Sequence, residues 1–265
     1  MSRGRVLIVA GSDSGGGAGV QGDIKTVTVL GGYAASAIAA LTVQNTLGVS
    51  DILAVPPAFV AAQMRAVLDD IGADAIKLGM LGGADTMAAV ADVLEAVVYP
   101  IVLDPVMVAK GGASLMARDA VAVLRARLLP MATLVTPNAP ELAVLTGMRV
   151  ETAADALAAG RALAARGTAV LVKGGHLPGD TVTDTLIEAD RREHAFTAAR
   201  QDTPHTHGTG CALASAIACG LAQGMALPDA VGRAHAFVAA AIRTAPELGR
   251  GHGPLGHLAG ARALG

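Results

Sequence analysis

Short runs of β-branched and aliphatic residues alternate with longer Ala-rich runs along most of the chain, and this alternation narrows the fold more than any other feature. Residues 5–10 (RVLIVA), 75–78, 101–103, 134–136 and 170–173 predict strands buried on both faces, because they carry no polar alternation. A further strand is expected within residues 33–43. Helices are predicted over 20–30, 57–70, 86–97, 117–128 and 152–166. In the second of these, Val60, Met64, Val67, Leu68 and Ile71 recur at helical spacing, and Pro57 stands in the first turn, where a missing N–H costs nothing. Thr152 and Asp155 have the spacing of a capping box. Strand–helix alternation of this kind implies a mostly parallel sheet covered by helices.

Late in the chain the pattern changes. Residues 181–187 and 193–197 predict a hairpin around Ala189-Asp190-Arg191, two helices are expected near 211–223 and 229–244, and the Gly-rich run from Gly249 is expected to be loop. No linker, repeat or charge block divides the 265 residues, so residues 1–265 are expected to form one domain.

Composition excludes several function classes. Hydrophobic residues are 52% of the chain and charged residues 16%, so a large core can be buried, and aromatics at 2% with no Trp make that core aliphatic. Single-stranded nucleic acid needs stacking aromatics and a basic groove. A net charge of −2 and the lack of a Lys/Arg run argue against that partner. No uninterrupted apolar stretch reaches the ~20 residues of a membrane span. The N-terminal run is too short for an export signal, so the chain is expected to be cytoplasmic, with Cys211 and Cys219 as free thiols.

In parallel sheets, ligands bind beyond the carboxyl ends of the strands. The distinctive residues of this sequence fall there: a glycine-rich stretch at 11–19, Gln44-Asn45, Gly79-Met80, Asp104-Pro105, residues 136–141 and Gly174-Gly175-His176. Within the first stretch, Gly17, Gly19 and Gly22 match a dinucleotide fingerprint, but no acidic residue ends the next strand to hold a ribose. A Walker A loop is absent. Thr206-His207-Gly208-Thr209-Gly210-Cys211 leads directly into an apolar helix. Its small residues would leave the first N–H groups of the helix open to an anion, such as a moving phosphoryl group. Cys211 would stand at that helix N-terminus, where a thiol pKa is expected to fall.

Asn138-x-x-Glu141 reads either as a helix start or, with Asp104, as the two carboxylates that Mg²⁺ takes alongside phosphate oxygens and water. Lys173, at the end of a buried strand, needs a charge to meet, and phosphate would serve. His205-x-His207 is read as loop rather than as a metal site.

Seven stretches, GSDSGGGAGVQGDIKT (11–26), VQNT (43–46), KLGML (77–81), LDPVMVAKGG (103–112), TPNAPE (136–141), VKGGH (172–176) and THGTGC (206–211), resemble in order and spacing those of hydroxymethylpyrimidine/phosphomethylpyrimidine kinases of the ribokinase-like family. Gly15, Gly22 and Gly112 depart from it, standing where the family commonly has Ser or Ala. The resemblance implies a three-layer α/β/α sandwich with a central, mostly parallel sheet, often dimeric, using ATP and Mg²⁺.

It further implies that Gln44 holds the aminopyrimidine, with Gly11, Asp23, Met80 and Val106 around it, and that Cys211 accepts the proton of the substrate hydroxymethyl. Gly208, Thr209 and Gly210 would form the anion hole, Lys173, Asn138 and Thr206 would bind nucleotide, and Glu141 and Asp104 would hold the metal. The alcohol and its monophosphate would both be phosphorylated. Pyridoxal kinase activity, a ligand sensor on a kinase fold and a dinucleotide oxidoreductase are the competing readings.

Overall fold

The computed structural model describes residues 4–107, 118–177 and 179–264. Its elements run in the order β1 (Arg5–Ala10), α1 (Gly19–Val29), β2 (Tyr33–Ile38), β3 (Ala40–Asn45), β4 (Gly48–Ala54), α2 (Pro57–Asp70), β5 (Ala75–Leu78), α3 (Ala84–Leu94), β6 (Ile101–Leu103) and α4 (Arg118–Val123). They continue with β7 (Leu134–Val135), α5 (Ala139–Thr146), α6 (Ala153–Ala164), β8 (Ala169–Val172), β9 (Thr181–Ile187), β10 (Glu193–Ala199), α7 (Thr209–Ala222), α8 (Leu227–Arg243) and α9 (His257–Arg262).

Eight strands form one sheet in the order β10-β9-β8-β7-β6-β5-β1-β2. All neighbours from β2 to β8 pair in parallel, and only the hairpin β9–β10 brings antiparallel pairing. The expected mostly parallel sheet with helices on both sides is therefore what the chain builds.

The two-residue period of a strand sorts the core into two layers. Leu7, Val9, Ile76, Leu78, Ile101, Leu103, Val135, Val170 and Val172 face one side, where they meet α2, α3, α5 and α6 through residues such as Met64, Val90, Leu142 and Leu163. Val6, Ile8, Ala75, Val102, Leu134 and Leu171 face the other, against α1, α7 and α8 through Val27, Ile217 and Phe237. Each fully buried Leu, Ile or Val contributes about 1.5–3 kcal/mol, so these two layers, and no aromatic stack, hold the sandwich together.

Local sequence signals survive in the structure. The Thr152 side chain accepts from the Asp155 N–H while Asp155 accepts from the Thr152 N–H, a complete capping box. α2 spans the residues that periodicity predicts.

Three expectations need correction. The strand expected within 33–43 is two strands. β2 joins the main sheet, whereas β3 turns away and pairs only with β4, as a two-stranded flap whose register shifts between Val43 and Gln44. The run after Gly249 contains a short helix, α9. The helix expected over 117–128 is α4 followed by a wider π-type turn over Leu124–Leu128, with residue 117 outside the described residues. Residues 108–112, including Gly112, also lie outside them.

Candidate active site

The same two-residue period places the polar site. The residues just beyond β6, β7 and β8 are Asp104, Thr136 and Lys173, and alternation turns all three toward the α7 layer. There the Thr136 hydroxyl donates to Asp104 Oδ1 at 3.0 Å and the Lys173 ammonium reaches the same oxygen at 3.0 Å. All three border or underlie a cavity of about 950 Å³ along the carboxyl ends of the strands. The Lys173 side chain is only 13% exposed. Burial works against its charge, but Asp104 and Glu141 outweigh burial and raise its pKa.

Glu141 is the third residue of α5. Its carboxylate accepts from the Asn138 N–H at 2.8 Å while Asn138 Oδ1 accepts from the Glu141 N–H at 2.9 Å. The helix-start reading and the site reading are thus both true of one side chain: it completes a capping box and still lines the cavity. Burial pushes its carboxyl above the usual range, Asp104 adds to the push and Lys173 opposes it. Two crowded carboxylates, sharing one lysine, suit a divalent cation whose remaining ligands are phosphate oxygens and water. Among the described residues no group of three His, Cys, Asp or Glu could hold a metal by itself.

The turn before α7 carries the anion-binding features. Gly208 is left-handed, with φ 86°, and no side chain caps the helix, so its first N–H groups stay open. A Cβ on Gly208 would stand 1.9 Å from the Gly17 carbonyl oxygen, so only glycine lets this turn lie against the loop after β1. A Cβ at Gly210 would lie 3.4 Å from Lys173 Nζ and 3.6 Å from Asp104 Oδ2. The open helix end, the lysine and the carboxylate therefore face one another. Thr206, Thr209 and Asn138 line the same cavity.

Gln44 from the flap, Gly11, Met80 and Val106 line the same cavity. A Cβ on Gly11 would meet the terminal methyl of the flexible Met80 side chain at 2.4 Å, so the two residues pack directly against each other. Gln44 is not at the end of a main-sheet strand, as its position suggested. It reaches the cavity from β3, beside the register shift.

Two expectations fail here. Asp23 is fully buried beneath the cavity and does not line it. Its carboxylate takes the Lys77 ammonium at 2.7 Å and the Ser215 hydroxyl at 2.7 Å. Lys77 is the residue that reaches the cavity wall. Burial works against its charge, yet Asp23 first, then Cys211 and Asp104, keep it cationic above the ordinary lysine range.

The Cys211 thiol is not lowered by the helix end. Burial pushes it up to about 11; Lys77 opposes that push, Asp23 and Asp104 add to it, and a backbone hydrogen bond from Gly19 opposes it slightly. Both cysteines are free.

Sequence reading also missed Lys77, whose only signal is a cation inside the apolar run AIKL, and the pairing of Asp13 with His207. Asp13 accepts from the Gly15, Gly17 and Ala18 N–H groups at 2.8, 3.1 and 2.8 Å and from His207 Nε2 at 2.8 Å. Burial tends to raise its pKa, but His207 and the amides together hold it below the usual carboxylate value.

Comparison with known proteins gives the family and the fold. The sequence profile of the family described as phosphomethylpyrimidine kinase matches residues 13–256. The bifunctional thiamine-biosynthesis protein ThiED of Geobacter sulfurreducens is 53% identical over 97% of this chain, which spans 52% of that longer protein. The hydroxymethylpyrimidine/phosphomethylpyrimidine kinase of Streptomyces coelicolor is 49% identical over 95% of this chain and 93% of its own length. In three dimensions the ADP complex of Bacillus subtilis pyridoxal kinase superposes with a TM-score of 0.90 at 33% identity, covering 97% of this chain and 98% of that one. The chain belongs to the phosphomethylpyrimidine kinase family and carries its kinase domain.

Proposed function

We propose that this protein transfers the γ-phosphoryl group of ATP to 4-amino-5-hydroxymethyl-2-methylpyrimidine and then to the resulting monophosphate, in thiamine biosynthesis or salvage. The observation that carries the reading is one cavity lined together by the uncapped α7 turn, Lys173, the Asp104–Glu141 pair and an amide, Gln44. An amide offers one donor and one acceptor side by side, which matches a ring nitrogen next to an amino group. ADP is bound by the Bacillus subtilis relative, which supports a nucleotide at the phosphate end.

In this reading the N–H groups of Thr209, Gly210 and Cys211 face the moving phosphoryl group, and Lys173 balances its charge. Asp104 and Glu141 would hold Mg²⁺, which supplies charge neutralisation for the phosphates. Thr206 and Asn138 border the nucleotide. Cys211 is a thiol at neutral pH, not a thiolate, and so lies against the hydroxymethyl group as a hydrogen-bonding wall. In a loose transition state the attacking oxygen need not lose its proton early, and the proton can pass to a phosphoryl oxygen after transfer. A homodimer, as in many ribokinase-like enzymes, belongs to the same proposal. Among the described residues, no helix is long and apolar enough to cross a membrane.

The test is ATP consumption with the aminopyrimidine alcohol, its monophosphate and pyridoxal in parallel. The first two should turn over with higher kcat/KM than the third. A preference for pyridoxal, which the likeness to pyridoxal kinase makes the alternative, would reverse the substrate assignment. No phosphoryl transfer to any of them would favour a ligand sensor.

A further inference from the structure

His207 Nε2 lies 2.8 Å from Asp13 Oδ2 and 3.2 Å from the end of the Gln44 amide. The other end of that amide is 3.2 Å from Thr42 Oγ1, whose hydroxyl is also 2.8 Å from the Ser12 carbonyl oxygen. An amide can be turned over without changing its shape, so its orientation follows from the hydrogens around it.

Asp13 is buried, ionised and already takes three backbone N–H groups, so the nitrogen facing it must carry a hydrogen; a lone pair there would meet negative charge. A nitrogen that bears its hydrogen cannot accept from an NH₂ group. Thr42 has one hydroxyl hydrogen, and the shorter contact to Ser12 claims it, leaving its oxygen to accept. One orientation of Gln44 sets no donor against a donor: carbonyl toward His207, where it can share the single Nε2 hydrogen that Asp13 holds at the shorter distance, and NH₂ toward the Thr42 oxygen.

We propose that His207, fastened to Asp13, is a positioning residue that fixes the Gln44 carbonyl on the side of the phosphoryl-binding turn and thereby sets which way round the substrate ring lies. The inference rests on the aminopyrimidine reading above. In that substrate the amino group is next to the carbon that bears the hydroxymethyl, and the ring nitrogen lies on its other side. A carbonyl on the His207 side receives the amino group there, so the hydroxymethyl falls toward Gly208–Cys211, the residues that directly follow His207. The reversed amide would receive the ring nitrogen on that side and swing the hydroxymethyl away. The same contact ties the flap to the two loops that build the anion hole, since Asp13 orders residues 15–18 and Gly17 abuts Gly208.

The test has one arm without substrate. Long-range ¹H–¹⁵N spectra of the ¹⁵N-histidine-labelled free protein should show hydrogen on Nε2 of His207; a bare Nε2 overturns the proposal. In the second arm His207→Leu should lower kcat/KM for the aminopyrimidine about tenfold, through its KM and with the KM for ATP unchanged, the size of one lost hydrogen bond to a recognition group. His207→Gln, which keeps a donor near the same place, should recover most of it. In a Gln44→Leu background, His207→Leu should add nothing further, and an equal loss there overturns the proposal. A parent enzyme that phosphorylates pyridoxal alone refutes the substrate assignment instead, and the spectra and the same cycle run on pyridoxal still decide the amide.

Discussion

The state of Cys211 can be read directly by alkylation as pH is raised. The thiol is held up to about 11, against an ordinary value of 9.0. At pH 8 its thiolate fraction is then about one part in a thousand, where an ordinary cysteine has about one in ten. Because the thiolate is the nucleophile, iodoacetamide should modify Cys211 about a hundredfold more slowly than the same cysteine in the denatured chain. The rate should climb tenfold per pH unit to at least pH 10. No Lys or Arg stands between Cys211 and Cys219, so tandem mass spectrometry of their shared peptide, with Cys219→Ala as the control, gives both numbers for Cys211; Cys219 is itself raised by burial.

Turnover should show no limb from this thiol between pH 7 and 9. A thiolate acting as the base would instead make kcat climb with pH across that range. A plateau of alkylation below pH 9, together with a kinetic limb at the same pH, would refute the argument that burial and the two carboxylates outweigh the helix end. Cys211→Ala should then be near-inactive, whereas a thiol that only walls the hydroxymethyl predicts a loss of about tenfold, the size of one hydrogen bond.

Other perturbations follow from the same geometry. Glu141→Gln preserves the capping box but removes a charge beside Asp104, so stability should change by less than about 1 kcal/mol while the Mg²⁺ concentration needed for half-maximal turnover rises. An unchanged magnesium dependence would move the metal elsewhere. Gln44→Leu should weaken aminopyrimidine binding by about 1–3 kcal/mol and leave nucleotide binding intact, as calorimetry with each ligand would show. Lys77→Met leaves Asp23 buried without its cation and should cost about 3–5 kcal/mol in denaturant unfolding, most of it recovered by Asp23→Leu in the same chain.

Much of the fold is legible because its signals are local. The period of Val60 and Met64, the Thr152–Asp155 and Asn138–Glu141 spacings and the apolar strand runs depend only on neighbours in the chain, and each forms as the pattern demands. Contacts across the chain are not legible in that way. Lys77 finds Asp23 across 54 residues and Asp13 finds His207 across 194, and nothing in either segment names the other. The flap escaped notice because β4 is exposed along most of its length, with no buried face to impose a period. Cys211 misled for a related reason. Its place at a helix start is written in the sequence, whereas the walls that enclose it and the carboxylates of Asp23 and Asp104 that act on it come from distant segments.

The place of α7 also sets when the protein can begin to work as it is synthesised. α7 fills the middle of one helical layer, against β1, β5 and β6, and brings the phosphoryl-binding turn with it. The flap, the glycine loop and both carboxylates have left the ribosome well before residue 208 is added, yet the cavity has no wall on that side until α7 docks. A nascent chain therefore presents no completed nucleotide site, and nucleotide cannot template the early stages of folding. Ligand can hold the enzyme together only after residues 208–222 have been made.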